Sequence, residues 1–487
     1  MTQSDYSTHL HQYPDLTRFD QLISQHLADS FFSSTDPIHI NRTPGRLDLM
    51  GGNDDYTGGL VFEKTIREAT FAALQSRADR QVRFSNPAVH ELGWADLITF
   101  SLDDLFSNGK LKDLPETRAW INADPSRAWC AYIIGDLYFL MQRFPEKIAH
   151  GFNLLIASDV PLGKGVSSSA ALEVAPMKAM AFMYGIPTAG VELASWTQWV
   201  EIALTQSACG IMDQVAVILG DEGIFVPMIC QPSQILPSVK MPTALRVWGI
   251  DSGVRHAVSG IEYEAARAAT FMGYRHLCAI KNLNPSLDES GALPRWVEPE
   301  WNGYLANLST SLFREMYESR LPEQELGADF NQQYNTHLDP FTPVRPDVTY
   351  PVRAAVRYAV EENARVRAFY AILAHSGDAL DEISARILGE LMYLAHLGYS
   401  ECGLGSKETD LLIALSRKEE ANGLLGAKIT GGGAGGTVAI LAWDTPSAQE
   451  AFQRLVQSYH QQTGIQPYIF EGSSAGCDAF GVLTRPI

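Results

Sequence analysis

Apolar positions along the chain fall into strand-length runs and helical stripes. Phe152-Asn-Leu-Leu-Ile-Ala157 is an apolar run of strand length. After a glycine-bearing loop, Leu172, Ala175, Ala179 and Phe182 recur at helical spacing until Gly185, so strand, loop and helix are predicted in succession. Upstream, residues 1–36 are polar with a helix expected around Phe19 to Phe32, and Ile38-His-Ile-Asn-Arg42 alternates like a strand that runs into a glycine-rich loop. Leu193, Trp196, Val200 and Leu204 mark a helix between Val191 and Ser207 with Glu201 near the edge of its stripe. Gln214-Val-Ala-Val-Ile-Leu219 begins another, with Asp213 in its first turn. Leu245-Arg-Val-Trp-Gly-Ile250 is strand-like and opens a second domain, followed by a helix from Glu262 through Arg275. Residues 281–350 are rich in Pro, Asn and Asp, with one helical piece near Leu308 to Glu318, and read as an elaborated insertion. Helical patterns return from Val352 to about Ser400, and Cys402-Gly-Leu-Gly-Ser406 is a turn. The expected organisation is an extension (1–36), an N-terminal domain (37–244) and a C-terminal domain (245–487).

With 487 residues the chain has ample apolar content for two or three cores. A net charge of −19 argues against a nucleic-acid partner, so any anion must be held by a local arrangement of N–H groups, Arg, Lys or metal. The six cysteines are scattered without a C-x-x-C pair, which fits reduced thiols. No basic, apolar leader and no membrane-spanning run is visible, so a cytoplasmic protein with no membrane partner is expected. A monomer is the working expectation, with the oligomeric state left open.

Three glycine clusters carry the candidate chemistry. In Asp159-Val-Pro-Leu-Gly-Lys-Gly-Val-Ser-Ser-Ser-Ala170, free N–H groups at a helix start attract anions, glycines admit close backbone approach, and the serine hydroxyls can bind oxygen or a cation. Lys164 is followed by Gly165, so this is not a Walker A loop; a phosphate cradle and an ordinary Ser-capped helix both fit. Thr43-Pro-Gly-Arg46 through Gly59 is a second cluster, rich in glycine and acid, and either a solvated turn or a site; Arg46 among apolar residues and carboxylates suits a partly buried anion-handling group. Asp213 by itself is no more than a helix-start acid. The third cluster, Lys428-Ile-Thr-Gly-Gly-Gly-Ala-Gly-Gly-Thr437, formally satisfies G-x-G-x-x-G, but the β-branched run after it favours a glycine-rich hairpin over dinucleotide binding. His256 lacks a partner at ligand spacing and reads as a packing residue.

Taken together and in this order, the three clusters resemble those of galactokinase-type members of the GHMP small-molecule kinase family, over nearly everything after about residue 38. The resemblance implies an α/β (α+β) fold of two domains, an N-terminal ribosomal-protein-S5-like domain and a C-terminal ferredoxin-like domain with the active site in the cleft. It implies ATP and Mg2+ as cofactors and a monosaccharide as substrate. Asp213 then corresponds to the catalytic carboxylate and Arg46 to its partner. Asp55, Gly52, Asn53, Gly210 and Tyr263 fall at sugar-side positions. Gly163, Lys164, Gly165, Ser167, Ser168, Ser169 and Ala170 form the ATP phosphate loop, Gly432 and Gly433 face it, and Ser169 with Glu201 holds the metal. Trp129 matches the aromatic residue beside adenine, with a core tryptophan the alternative.

One departure bears on the substrate. Galactokinases carry Glu-His where this chain has Gly52-Asn53, and that pair contacts the C6 hydroxymethyl of galactose. L-Arabinopyranose is galactopyranose without this group, and several further stretches, among them Ile229-Cys-Gln-Pro232 and Gly249-Ile-Asp-Ser-Gly253, resemble the kinase domain of L-arabinokinases. The expectation is an anomeric kinase for L-arabinose, with galactose phosphorylation and a non-catalytic sugar and ATP sensor as alternatives. Pro176 is expected to kink or interrupt the helix after the phosphate loop.

Overall fold

The computed structural model describes residues 3–231, 233–254, 261–291 and 293–486. Helices α1 (Gln3–Gln12) and α2 (Pro14–Ala28) come first. Leu16, Phe19 and Ile23 of α2 pack on the outer face of a sheet against Ile38, Phe71 and Leu155. The second helix stops at Ala28, short of the expected Phe32, and Phe31 and Phe32 instead form an edge-to-face ring pair after it.

Strand β1 (Ile38–Met50) pairs antiparallel with the long β2 (Leu60–Ser76). The strand expected to end at Arg42 therefore continues through half of the presumed loop, and only residues 51–59 turn. Register shifts between Pro44 and Arg46 and between Asp48 and Met50 absorb the proline, which cannot donate to a ladder, and bend the strand beside the site. Strands β3 (Gln81–Ser85), β4 (Leu97–Ser101) and β5 (Phe152–Ser158) extend this mixed sheet, which has nine strands among the described residues.

Its other face is covered by helices α3 (Ala131–Arg143), α4 (Ser168–Met183), α5 (Gly190–Ala203) and α6 (Met212–Leu219), around one large apolar core. The predicted strand, loop and helix over 152–183 are present. Two details differ from expectation. Pro176 lies fully buried within a helix assigned without a break from Ser168 to Met183, and Phe182, placed on the apolar stripe by its spacing, is 49% exposed.

Strand β6 (Leu245–Asp251) opens a second, four-stranded antiparallel sheet with β7 (Leu424–Ile429), β8 (Thr437–Trp443) and β9 (Ile469–Glu471). The third glycine cluster is the connection of the β7–β8 hairpin. Long helices α7 (Val352–Ser376) and α8 (Glu382–Glu401) lie between the two sheets, and one apolar cluster joins Leu47 and Phe62 of the first sheet to Val247 and Leu441 of the second through Phe369, Leu388 and Met392. The last strand, Val482–Arg485, pairs with β1, so the 245–487 segment returns in space to the first sheet.

Residues 281–350 contain the hairpin Ser286–Asp288/Arg295–Val297 and the short helices Thr310–Met316 and Gly327–Gln333. Trp301, Leu305, Phe313 and Tyr317 pack this region onto Val356 and Val360 of α7 and onto Tyr274 of the helix Ile261–Ile280. Among the described residues no helix is long and apolar enough to cross a membrane.

Candidate active site

The bend in β1 delivers Arg46 inward, and the first turn of α6 delivers Asp213 to meet it. Arg46 Nε and Nη2 both donate to Asp213 Oδ1, at 3.0 and 2.7 Å, while Nη1 donates to the carbonyl of Gly165 at 2.7 Å. One guanidinium thus ties the acid to the phosphate loop. Arg46 is 2% exposed, Asp213 28%. Asp213 Oδ2 has no donor among the described residues, which leaves that oxygen for a ligand. Burial opposes the charge of Arg46, but Asp213, Glu63 and Asp48 outweigh it and hold the guanidinium above its ordinary value.

Glu63 is a neighbour that sequence reasoning missed. Its Oε2 lies 3.1 Å from Arg46 Nε without hydrogen-bond alignment, and burial, then Asp48, pushes its carboxyl well above the usual range. Asp48, its cross-strand partner, is paired with Lys428 at 2.6 Å, both fully buried. The signal was an acid and a lysine, Glu63-Lys64, in the middle of an apolar strand-length run.

The phosphate loop and the third glycine cluster touch backbone to backbone. A Cβ on Gly431 would fall 2.6 Å from the Gly165 carbonyl, and one on Gly436 2.9 Å from the Lys164 carbonyl, so only glycine permits this approach between the sheets. Gly163 and Gly165 have φ of 70°, and Ser167, at φ 60°, keeps a buried hydroxyl without a partner at the start of α4. Glycine geometry, an orphaned hydroxyl and a helix start fit a phosphate chain. Ser168 and Ala170 occupy the first turn of that helix. Lys164 is engaged by Asp251 at the end of β6.

Glu201 takes a hydrogen bond from Gln214 Nε2 (2.7 Å), and Ser169 and Cys209 stand near enough to favour its charged form. Glu201 is buried, and burial followed by Asp213 pushes its carboxyl up to about 7. Among the described residues no group of three or more His, Cys, Asp or Glu is arranged for a metal. One hydroxyl and one carboxylate fit a hard cation that completes its shell with water and phosphate oxygens.

Arg46, Asp213, Asp55, Asn53, Gly210, Tyr263, Glu201 and Gly432 line a single cavity of about 180 Å³. Burial first, then Asp213, pushes the carboxyl of Asp55 up to about 6. Asn53, at φ 57° and 3% exposed, has neither amide atom partnered, so both point to a ligand that satisfies them. Gly52 is not on the wall. It is packed behind, where a Cβ would lie 2.0 Å from the Tyr399 hydroxyl and 2.1 Å from Asp48 Oδ2. Gly433 likewise backs the site against Leu404 and Tyr399. Trp129 belongs to the core of the first domain, 5% exposed with its indole N–H donated to the Ala95 carbonyl, which is the packing alternative and offers little face to adenine. His256 lies outside the described residues.

Three family models match the chain: GHMP kinases N terminal domain over 131–221, GHMP kinases C terminal over 377–461, and the galactokinase galactose-binding signature over 29–76. An L-arabinokinase of Arabidopsis thaliana is 35% identical across 94% of this chain, which spans about half (47%) of that protein. A galactokinase of Chloroflexus aurantiacus is 31% identical across 91% of this chain and 94% of its own length. In fold, the chain resembles Lactococcus lactis galactokinase complexed with galactose (TM-score 0.70, 20% identity, 96% of this chain and 99% of that one) and Methanococcus jannaschii mevalonate kinase (TM-score 0.53, 13% identity, 90% and 98%).

Proposed function

The chain belongs to the GHMP kinase family, beside the galactokinases, and from that premise we propose that it transfers the γ-phosphoryl group of ATP to the anomeric hydroxyl of L-arabinose. The observation that carries this reading is the single cavity in which an Arg-held carboxylate and sugar-side polar groups converge, with the same arginine bonded to the Gly165 carbonyl of the phosphate loop.

Asp213 accepts the proton of the anomeric hydroxyl on its free oxygen, or anchors that hydroxyl, as the oxygen attacks phosphorus. Arg46 keeps Asp213 ionised and offsets charge on the transferring group, while its bond to Gly165 fixes the phosphate loop relative to the acid. The N–H groups at the start of α4 and the Ser167 hydroxyl take phosphate oxygens. Mg2+, held by Ser169 and Glu201, would supply neutralisation of the phosphate charge. Positioning and electrostatics provide most of the acceleration, since phosphoryl transfer asks little covalent chemistry of the protein.

Support for L-arabinose comes from the turn at 51–59. No side chain fits at position 52, so the turn presents the sugar with Asn53 and Asp55 and with nothing from position 52. A hydroxymethyl group at C6 finds no dedicated pair there, and an unmet hydroxyl disfavours the larger sugar. The test is Asp213→Asn. It should abolish ADP release on L-arabinose while calorimetry still records sugar binding; ADP release undiminished in the variant would refute the assigned role.

A further inference from the structure

A second cavity, of about 460 Å³, abuts the catalytic one. Asp55, Cys209 and Gly210 contribute surface to both, whereas Arg46 and Asp213 line only the first. The shared wall is built by these three residues, with Asp213 and Glu201 on its inner side. One side of the outer chamber is α5, presenting Ser195 and Gln198; the opposite side is built by the 281–350 insertion, with the rings of Tyr304 and Phe341 and the backbone turn around Ser290.

The chemistry of this lining selects a ligand class. Aromatic faces suit the C–H faces of a sugar ring, and a hydroxyl and an amide opposite them suit its hydroxyls. Charge is balanced: Arg267 lies 4.9 Å over Tyr56 and 5.5 Å over Phe341 but is neutralised by Asp339 at 2.8 Å, and Arg295 stands 4.0 Å from Asp288. Among the described residues the lining holds no cation without a carboxylate within 4.0 Å. Between the chambers the Asp55 carboxylate packs directly on Gly210, where a Cβ would fall 1.5 Å from Asp55 Oδ2.

We infer that the outer chamber is an acceptor subsite for a second, neutral sugar unit, so that reducing disaccharides are phosphorylated with their free anomeric carbon at Asp213. The inference rests on the anomeric-kinase reading given above. In the step, the anomeric oxygen of the reducing unit forms a new bond to the γ-phosphorus and the bond from that phosphorus to the ADP oxygen breaks. The hydroxyl proton passes to Asp213, and the glycosidic bond is untouched.

The test uses 3-O-β-L-arabinopyranosyl-L-arabinose beside L-arabinose, with the full chain and Ser195→Tyr, which fills the chamber from α5 without altering the shared wall. Expected are a disaccharide kcat/KM within about tenfold of that for L-arabinose, and in Ser195→Tyr a loss of about tenfold or more for the disaccharide only. Equal loss for both sugars overturns the subsite in favour of an entry passage. Saturation-transfer NMR separates this inference from the kinase reading, because it needs no turnover. Signals from the second ring that vanish in Ser195→Tyr support the subsite even if neither sugar is phosphorylated, and no signal from that ring overturns it even if L-arabinose is turned over.

Discussion

Arg46→Lys keeps a positive charge at the heart of the site and removes only the fork. In the parent, the guanidinium makes two bonds to Asp213 Oδ1 and one to the Gly165 carbonyl. An ammonium on a flexible stem cannot span the acid and the loop together. Losing one charge-assisted bond and one bond to a carbonyl removes about 3 kcal/mol, taking roughly 2 for the former and 1 for the latter. Spent on holding Asp213 and the phosphate loop in register for transfer, that is a fall of roughly a hundredfold in kcat. The KM for sugar should move by less than about threefold, because the interaction is realised on the transferring group. Coupled ADP release at saturating MgATP measures both, and urea unfolding shows whether the variant is folded. Arg46→Met serves as the contrast: it leaves Asp213, 28% exposed, without its cation and should cost about 1–3 kcal/mol of stability. If Arg46→Lys retains kcat within about threefold of the parent, the tie between Asp213 and Gly165 does not matter and the mechanism is wrong.

The same geometry makes further outcomes measurable. Asp55, pushed up to about 6 by burial and then by Asp213, binds a proton on folding, so its contribution to stability is full below the unfolded value near 4 and is lost as pH rises through 6. Asp55→Asn should remove about 2 kcal/mol of that pH dependence, measured as urea-unfolding free energies at pH 4 and 7; parallel profiles for parent and variant would refute it. Glu201→Gln should raise the Mg2+ concentration needed for half-maximal turnover by about tenfold or more, with a chelator abolishing the parent's activity reversibly; an unchanged requirement removes Glu201 from the metal site. Gly52→Ala drives a methyl into the Tyr399 hydroxyl, which itself donates to the Gly431 carbonyl, and should destabilise the protein by about 1–3 kcal/mol in urea; an unshifted midpoint would show that the packing there is slack.

What the sequence exposed was whatever is local. The apolar run at 152–157, the serine-rich loop and the stripe after it gave strand, loop and helix, and the β-branched residues after Gly436 gave a hairpin against the glycine fingerprint. What stayed hidden depends on partners far along the chain. The strand through Pro44 and Gly45 survives because β2 supplies a bulged ladder for it, and Pro176 is carried inside a helix whose neighbours are fully packed. Arg46 and Asp213 were identified by resemblance, but that Gly165 completes their arrangement is a contact across 119 residues. Glu63 and the Asp48–Lys428 pair were missed for the same reason, since each has meaning only once β1, β2 and β7 lie side by side. Trp129 shows the converse, a motif position with two readings of which the packing favours the core one.

The central claim is the identity of the acceptor and of the oxygen that attacks. An equimolar mixture of L-arabinose and D-galactose, incubated with MgATP and the full chain and analysed by 31P and 13C NMR, tests it most directly. The account predicts one dominant product, L-arabinose carrying phosphate on C1. Galactose 1-phosphate as the main product, phosphate on any other carbon, or ADP released without a sugar phosphate would contradict it.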